Sequence, residues 1–151
     1  MMKSPSYKVK IGIIGCGAIG SRMAETICKD MSKDCKIMGL YDIEQDKTDR
    51  LIKKLKLKET LKKNSIEQVI SCSDFVVEAI NSDETVSIIE KTIKGKKSLL
   101  AMSVGKLLNA QYLYELARKN KCHILLPSGA IAGVDAIKAV SYTHLCDQLS
   151  K

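Results

Sequence analysis

With 151 residues, 45% of them apolar and 28% charged, the chain has the size and composition of one globular domain with a substantial core. Its formal charge of +8 is spread as lysines along prospective helices. With one Phe and no Trp to stack bases, the composition argues against a nucleic-acid partner. No stretch reaches membrane-span length, residues 1–8 lack the apolar core of a secretion signal, and the six cysteines show no paired spacing. No membrane partner, disulfide framework or metal site is therefore expected, and reduced thiols in the cytoplasm are the expected setting.

In chain order, residues 9–14 read as a buried strand that feeds directly into Gly15-Cys-Gly17-Ala-Ile-Gly20. Helical spacing follows, with Ile19, Met23 and Ile27 on one face. Residues 36–41 read as a second strand ending at Asp42, followed by a helix that Asp46 can cap, with Leu51, Ile52 and Leu55 inward. The lysine-rich stretch 56–64 has room for a short third strand. Ser65 is placed to cap a brief helix, and residues 74–80 form a buried strand. Asn81-Ser-Asp-Glu opens another helix that Gly95 closes, and residues 98–104 make the next strand. Asn109 is placed to cap a further helix, and residues 122–126 form the last strand, halted by Pro127. The alternation predicts an α/β fold: a Rossmann-type, doubly wound parallel sheet of about six strands.

The glycine pattern matters because of where it sits. Between a strand and a helix, the first glycine allows the tight turn, the second a close approach of backbone to a pyrophosphate, and the third close helix–strand packing. Free N–H groups at the helix start then favour phosphate, together with the helix dipole. Gly15, Cys16, Gly17, Ala18, Ile19 and Gly20 are accordingly the candidate phosphate turn. Asp42 stands about twenty residues further on, where a carboxylate accepts hydrogen bonds from the adenosine ribose and repels a 2′-phosphate. NAD is favoured, with NADP possible because Lys47 and Arg50 lie nearby; a turn or helix-capping role for Asp42 is the competing reading. Ligands in such sheets bind outside the carboxyl ends of the strands, which adds residues 79–81, 103–105 and 127–133 as candidates. Cys16, inside the loop, is a candidate accessible thiol.

Taken together, residues 11–20, Phe75-Val-Val-Glu-Ala79, Met102-Ser-Val-Gly105 and Leu126-Pro-Ser-Gly-Ala-Ile-Ala-Gly-Val-Asp-Ala-Ile137 resemble the L-aspartate dehydrogenases, over residues 8–140. The resemblance implies NAD- or NADP-dependent oxidation of aspartate to iminoaspartate, or reductive amination of oxaloacetate. It also implies a place in NAD biosynthesis and a possible homodimer in full-length form. It places Ala79 and Ala130 at the cofactor, with Ala130 at its nicotinamide end. The family's catalytic histidine and substrate domain would lie beyond this chain's end, so no catalytic residue is assigned. His123 reads as structural and His144 matches no motif. Residues 141–151 depart from the family pattern and read as a tail after a 1–140 cofactor domain. Related two-domain oxidoreductases of the dihydrodipicolinate reductase or homoserine dehydrogenase type, or a nucleotide-sensing module, are the alternatives.

Overall fold

The computed structural model describes residues 8–127. Ala130 and residues 141–151 therefore lie outside the described part. Twelve elements follow one another in the order strand, helix, strand through most of the chain. They are β1 (Val9–Ile14), α1 (Ala18–Lys29), β2 (Cys35–Tyr41), α2 (Gln45–Leu55), a 3-10 turn (Glu59–Leu61), α3 (Ile66–Cys72) and β3 (Phe75–Glu78). Then come α4 (Thr85–Lys94), β4 (Ser98–Ala101), a second 3-10 turn (Val104–Leu107), α5 (Tyr112–Lys119) and β5 (Ile124–Leu125). The strands form one parallel sheet in the order β2-β1-β3-β4-β5.

Strand alternation divides the core in two. Phe75 and Val77 of β3 and Leu100 of β4 face a cluster with Met23, Ala24 and Ile27 of α1 and Leu51 and Ile52 of α2. Val76, Leu99 and Ala101 face the other side, against Val69 of α3, Ile88, Ile89 and Ile93 of α4, and Leu113 of α5. Neighbouring residues of one strand thus serve opposite faces, as the period of two requires. Both faces are covered by helices, which is the doubly wound arrangement.

The described residues hold five strands rather than about six. Residues 56–64 carry Leu57 and Leu61 as their apolar positions, four apart, which is turn spacing and not strand alternation. Lys56 ends α2 in the left-handed region at φ 52°, the 3-10 turn follows, and one parallel bridge joins Lys62 to Leu40. A rudiment of the sixth strand is thus present at the β2 edge.

The capping expectations fared unevenly. Ser65 accepts the Gln68 N–H at 3.3 Å and caps α3. Asp46 does not cap α2; it sits in the first turn, where it pairs with Arg50 at 2.7 Å. Asn81 and Asn109 cap nothing, because α4 and α5 begin later, at Thr85 and Tyr112.

Candidate functional site

Three glycines that look alike in sequence do three different things. Gly15 has φ +102°, and a Cβ there would sit 2.5 Å from the Ala79 carbonyl. A Cβ on Gly20 would lie 1.7 Å from the Gly15 carbonyl, so α1 can start against the loop only with glycine here. A Cβ on Gly17 would meet nothing within 4 Å. The fold itself places no steric demand on Gly17, although it begins α1 in an extended conformation, φ −72° and ψ −159°. The space it leaves open lies at the start of a twelve-residue helix whose first N–H groups have no side-chain cap. This is the shape and polarity of a phosphate cradle.

Asp42 follows β2 and is 6% exposed. Its Oδ2 accepts the Cys16 N–H at 2.7 Å and its Oδ1 accepts the Glu44 N–H at 2.9 Å. The carboxylate therefore pins the glycine loop to β2 and shapes the turn into α2. Gly15 adds a second tie, its N–H donating to the Tyr41 carbonyl at 2.8 Å. The turn-forming reading and the ligand-facing reading of Asp42 are compatible, since each ionised oxygen keeps a further lone pair.

Cys16 is not accessible, contrary to the sequence expectation. It is 4% exposed, and its thiol lies 3.7 Å from both Thr48 Oγ1 and the Tyr41 carbonyl. Burial pushes it up to about 11, with the Asp42 charge adding to the effect, so the reactive thiolate is suppressed at neutral pH.

Two cavities flank the loop at the carboxyl ends of the strands. One, of about 540 Å³, includes Gly17, Asp42, Ile43, Lys47, Ala79 and Ile80 in its lining. The other, of about 620 Å³, is bounded by Ile19, Ala79, Asn81, Met102, Ser103 and Lys106 among others. Ala79, Ile80 and Asn81 line both, which puts the end of β3 at the centre of the cleft. Ala18 and Ile19 are exposed on the first turn of α1. His123 is exposed, with backbone bonds to Ser98 and Leu99, and lines neither cavity.

Glu78 is the residue that sequence reading passed over. It is 0% exposed at the end of β3. Its Oε1 accepts from the Ile80 N–H at 3.1 Å and the Thr85 hydroxyl at 3.4 Å, and its Oε2 accepts from the Ser103 N–H at 3.3 Å. The Ser103 hydroxyl lies within donating reach of Glu78 Oε1, at 3.0 Å, and of the Ile80 carbonyl. Burial raises the Glu78 carboxyl above the usual carboxylate range, against the lowering effect of these donors. The side chain straps the β3–α4 loop to the residues after β4, the two segments that wall the second cavity. A carboxylate inside an otherwise apolar strand was the available signal, since such a group must find partners.

Among the described residues no group of three or more metal-ligating side chains occurs. No helix there is long and apolar enough to cross a membrane.

Comparison with known proteins agrees with this geometry. An L-aspartate dehydrogenase of Methanocaldococcus jannaschii is 38% identical over 136 residues, covering 87% of this chain and 50% of that protein. An L-aspartate dehydrogenase of Methanosarcina barkeri is 32% identical over 145 residues, covering 91% and 51%. The chain thus spans about half the length of the curated relatives it matches. Among solved structures, a Synechocystis biliverdin reductase bound to biliverdin and NADP+ superposes with a TM-score of 0.70 at 20% identity, over 79% of this chain and 37% of that one, a likeness of fold. The pattern of the NAD-binding domain of homoserine dehydrogenase matches residues 15–127, from the first glycine of the loop to the proline after β5. The chain belongs to that family of NAD-binding domains.

Proposed function

We infer that this chain is the cofactor-binding half of an NAD(P)-dependent L-aspartate dehydrogenase. The observation that carries the dinucleotide reading is the open cradle at Gly17: the fold does not require a bare backbone there, whereas a pyrophosphate does. In this reading the phosphates lie on the N–H groups of residues 16–20, with Ala18 and Ile19 along their path. The ribose meets the remaining lone pairs of Asp42, the adenine occupies the apolar cavity between Ile43 and Ile80, and the nicotinamide end extends past Ala79 into the second cavity. Ala130, carried over from the resemblance, stands at that end.

The bound dinucleotide supplies the hydride acceptor for aspartate Cα–H or, in reverse, the hydride for iminoaspartate. The chain's own residues hold and orient it. Asp42 fixes the loop, Glu78 fixes the walls of the nicotinamide-side cavity, and the apolar lining excludes water. The substrate assignment rests on the relatives' names and on the Pro127-Ser-Gly-Ala-Ile-Ala-Gly-Val-Asp135 motif. A cytoplasmic enzyme feeding NAD biosynthesis, dimeric in full-length form, completes the proposal.

The test joins residues 1–127 to the carboxyl-terminal half of the Methanocaldococcus jannaschii relative and assays aspartate and homoserine with NAD and NADP. Aspartate turnover that is lost on Gly17→Val is the expected result. A chimera that folds and binds cofactor but oxidises homoserine in preference to aspartate would contradict the substrate assignment.

A further inference from the structure

A third cavity, of about 260 Å³, opens between α1 and α2 on the far side of the Asp42–Cys16 bond. Cys16, Gly17 and Ser21 form one wall, and Lys47, Arg50 and Lys54 contribute three cations to the other. Resting on the dinucleotide reading above, we propose that this cavity is a separate anion site. It takes a 2′-phosphate on the adenosine ribose, and the Glu44–Lys47 ion pair sets the balance between NAD and NADP.

Position comes first. Gly17 and Lys47 line both this cavity and the one containing Asp42, so the two spaces adjoin at the point where a ribose would rest. A group added to the 2′-oxygen has a route into the cationic space that avoids the Asp42 carboxylate. Lys47 feels that carboxylate: Glu44 raises its ammonium most, and Asp42 and Asp46 add to the effect.

Charge comes second. No carboxylate lines the cavity, yet each cation is already held by an acid outside it: Lys47 by Glu44 at 2.6 Å, Arg50 by Asp46 at 2.7 Å, and Lys54 by Glu25. These are largely exposed pairs, which are cheap to exchange. A phosphate dianion replaces two such partners at once, and the guanidinium of Arg50 can meet it with two parallel bonds. A ribose with a free 2′-hydroxyl leaves the pairs closed.

Asp42 is then no simple gate. Both of its oxygens hold backbone N–H groups, so its first duty is to the loop, and discrimination passes to the exposed charges around it. Glu44 contacts Asp42 through its backbone, so Glu44→Gln removes the competing charge while leaving the bond to Asp42 in place.

The experiment titrates the 151-residue protein with NADH and NADPH by fluorescence, and displaces NADH with 5′-AMP or adenosine 2′,5′-bisphosphate. Wild-type dissociation constants for the two dinucleotides are expected within about tenfold of each other. Glu44→Gln should move the NADPH/NADH preference about fivefold toward NADPH, and Lys47→Met with Arg50→Met should move it at least about tenfold the other way. Added salt should weaken the bisphosphate more than 5′-AMP. A wild type that binds NADH and excludes NADPH overturns the proposal, as does a preference unmoved by the double substitution. Neither result touches the dinucleotide reading. Failure of both nucleotides to bind removes that reading as well.

Discussion

At Gly17 a side chain would clash with no protein atom, and at Gly15 and Gly20 it would clash with backbone. The three positions therefore separate stability from binding. Gly15→Val and Gly20→Val should each cost several kcal/mol, visible as a lowered urea midpoint, because the obstructing atoms are carbonyls that cannot rotate away. Asp42→Ala should weaken NADH and NADPH alike, by about tenfold, since it frees the Cys16 N–H and loosens the loop that both share. A change confined to one cofactor would show instead that the carboxylate acts on the ribose alone. Glu78 gives a pH signature. Its carboxyl is raised in the folded protein, so its favourable contribution is complete below the unfolded value of 4.5 and is lost as pH rises through the raised value. Glu78→Gln cannot ionise. Urea midpoints of the wild type relative to this variant should therefore decline as pH rises from about 4 to 7, and a constant difference would mean that Glu78 does not titrate in this window. The glycine roles were legible because spacing and context state them. The Asp42–Cys16 bond was not, because it joins residues 26 apart in sequence and only the closed turn brings them within reach.

Among the elements, the strands and helices were readable from apolar periodicity, and their ends were not. Residues 74–80 were read as one strand, yet pairing stops at Glu78, where the carboxylate turns back to hold Ile80, Thr85 and Ser103. Residues 98–104 likewise shorten to Ser98–Ala101, because the Ser103 N–H is taken by Glu78 rather than by a neighbouring strand. Both strands are cut by the same buried group, and both cuts open the cleft. Packing of α3 depends on a glycine that no motif marks. A Cβ on Gly12 would lie 2.3 Å from Ser73 Oγ and 2.5 Å from a Val69 methyl, so β1 must be bare for α3 to reach the sheet. Gly12→Ala should destabilise by about 1–3 kcal/mol in equilibrium unfolding. A neutral effect would show that α3 can shift outward without loss.

For the whole molecule, fold and chemistry are unevenly distributed along the sequence. The sheet order places Gly15, Asp42, Ala79 and Ser103 at the carboxyl ends of four strands around one cleft, which suits cofactor binding. No histidine lines either cavity among the described residues, and Lys106, on the rim of the second, is paired with Asp83 at 2.7 Å. Hydride transfer needs an acid/base and a substrate held in near-attack geometry. The 151-residue chain alone should accordingly bind dinucleotide and turn over aspartate at or near background. Turnover at the level of an intact relative would mean that the catalytic groups lie within this chain. The central claim, that the bare backbone at Gly17 exists for a dinucleotide, is tested most directly by titrating NADH into the wild type and into Gly17→Val while following the urea midpoint of each. The account predicts saturable binding by the wild type, none by the variant, and urea midpoints that differ little. Equal NADH affinity in two equally stable proteins would contradict it.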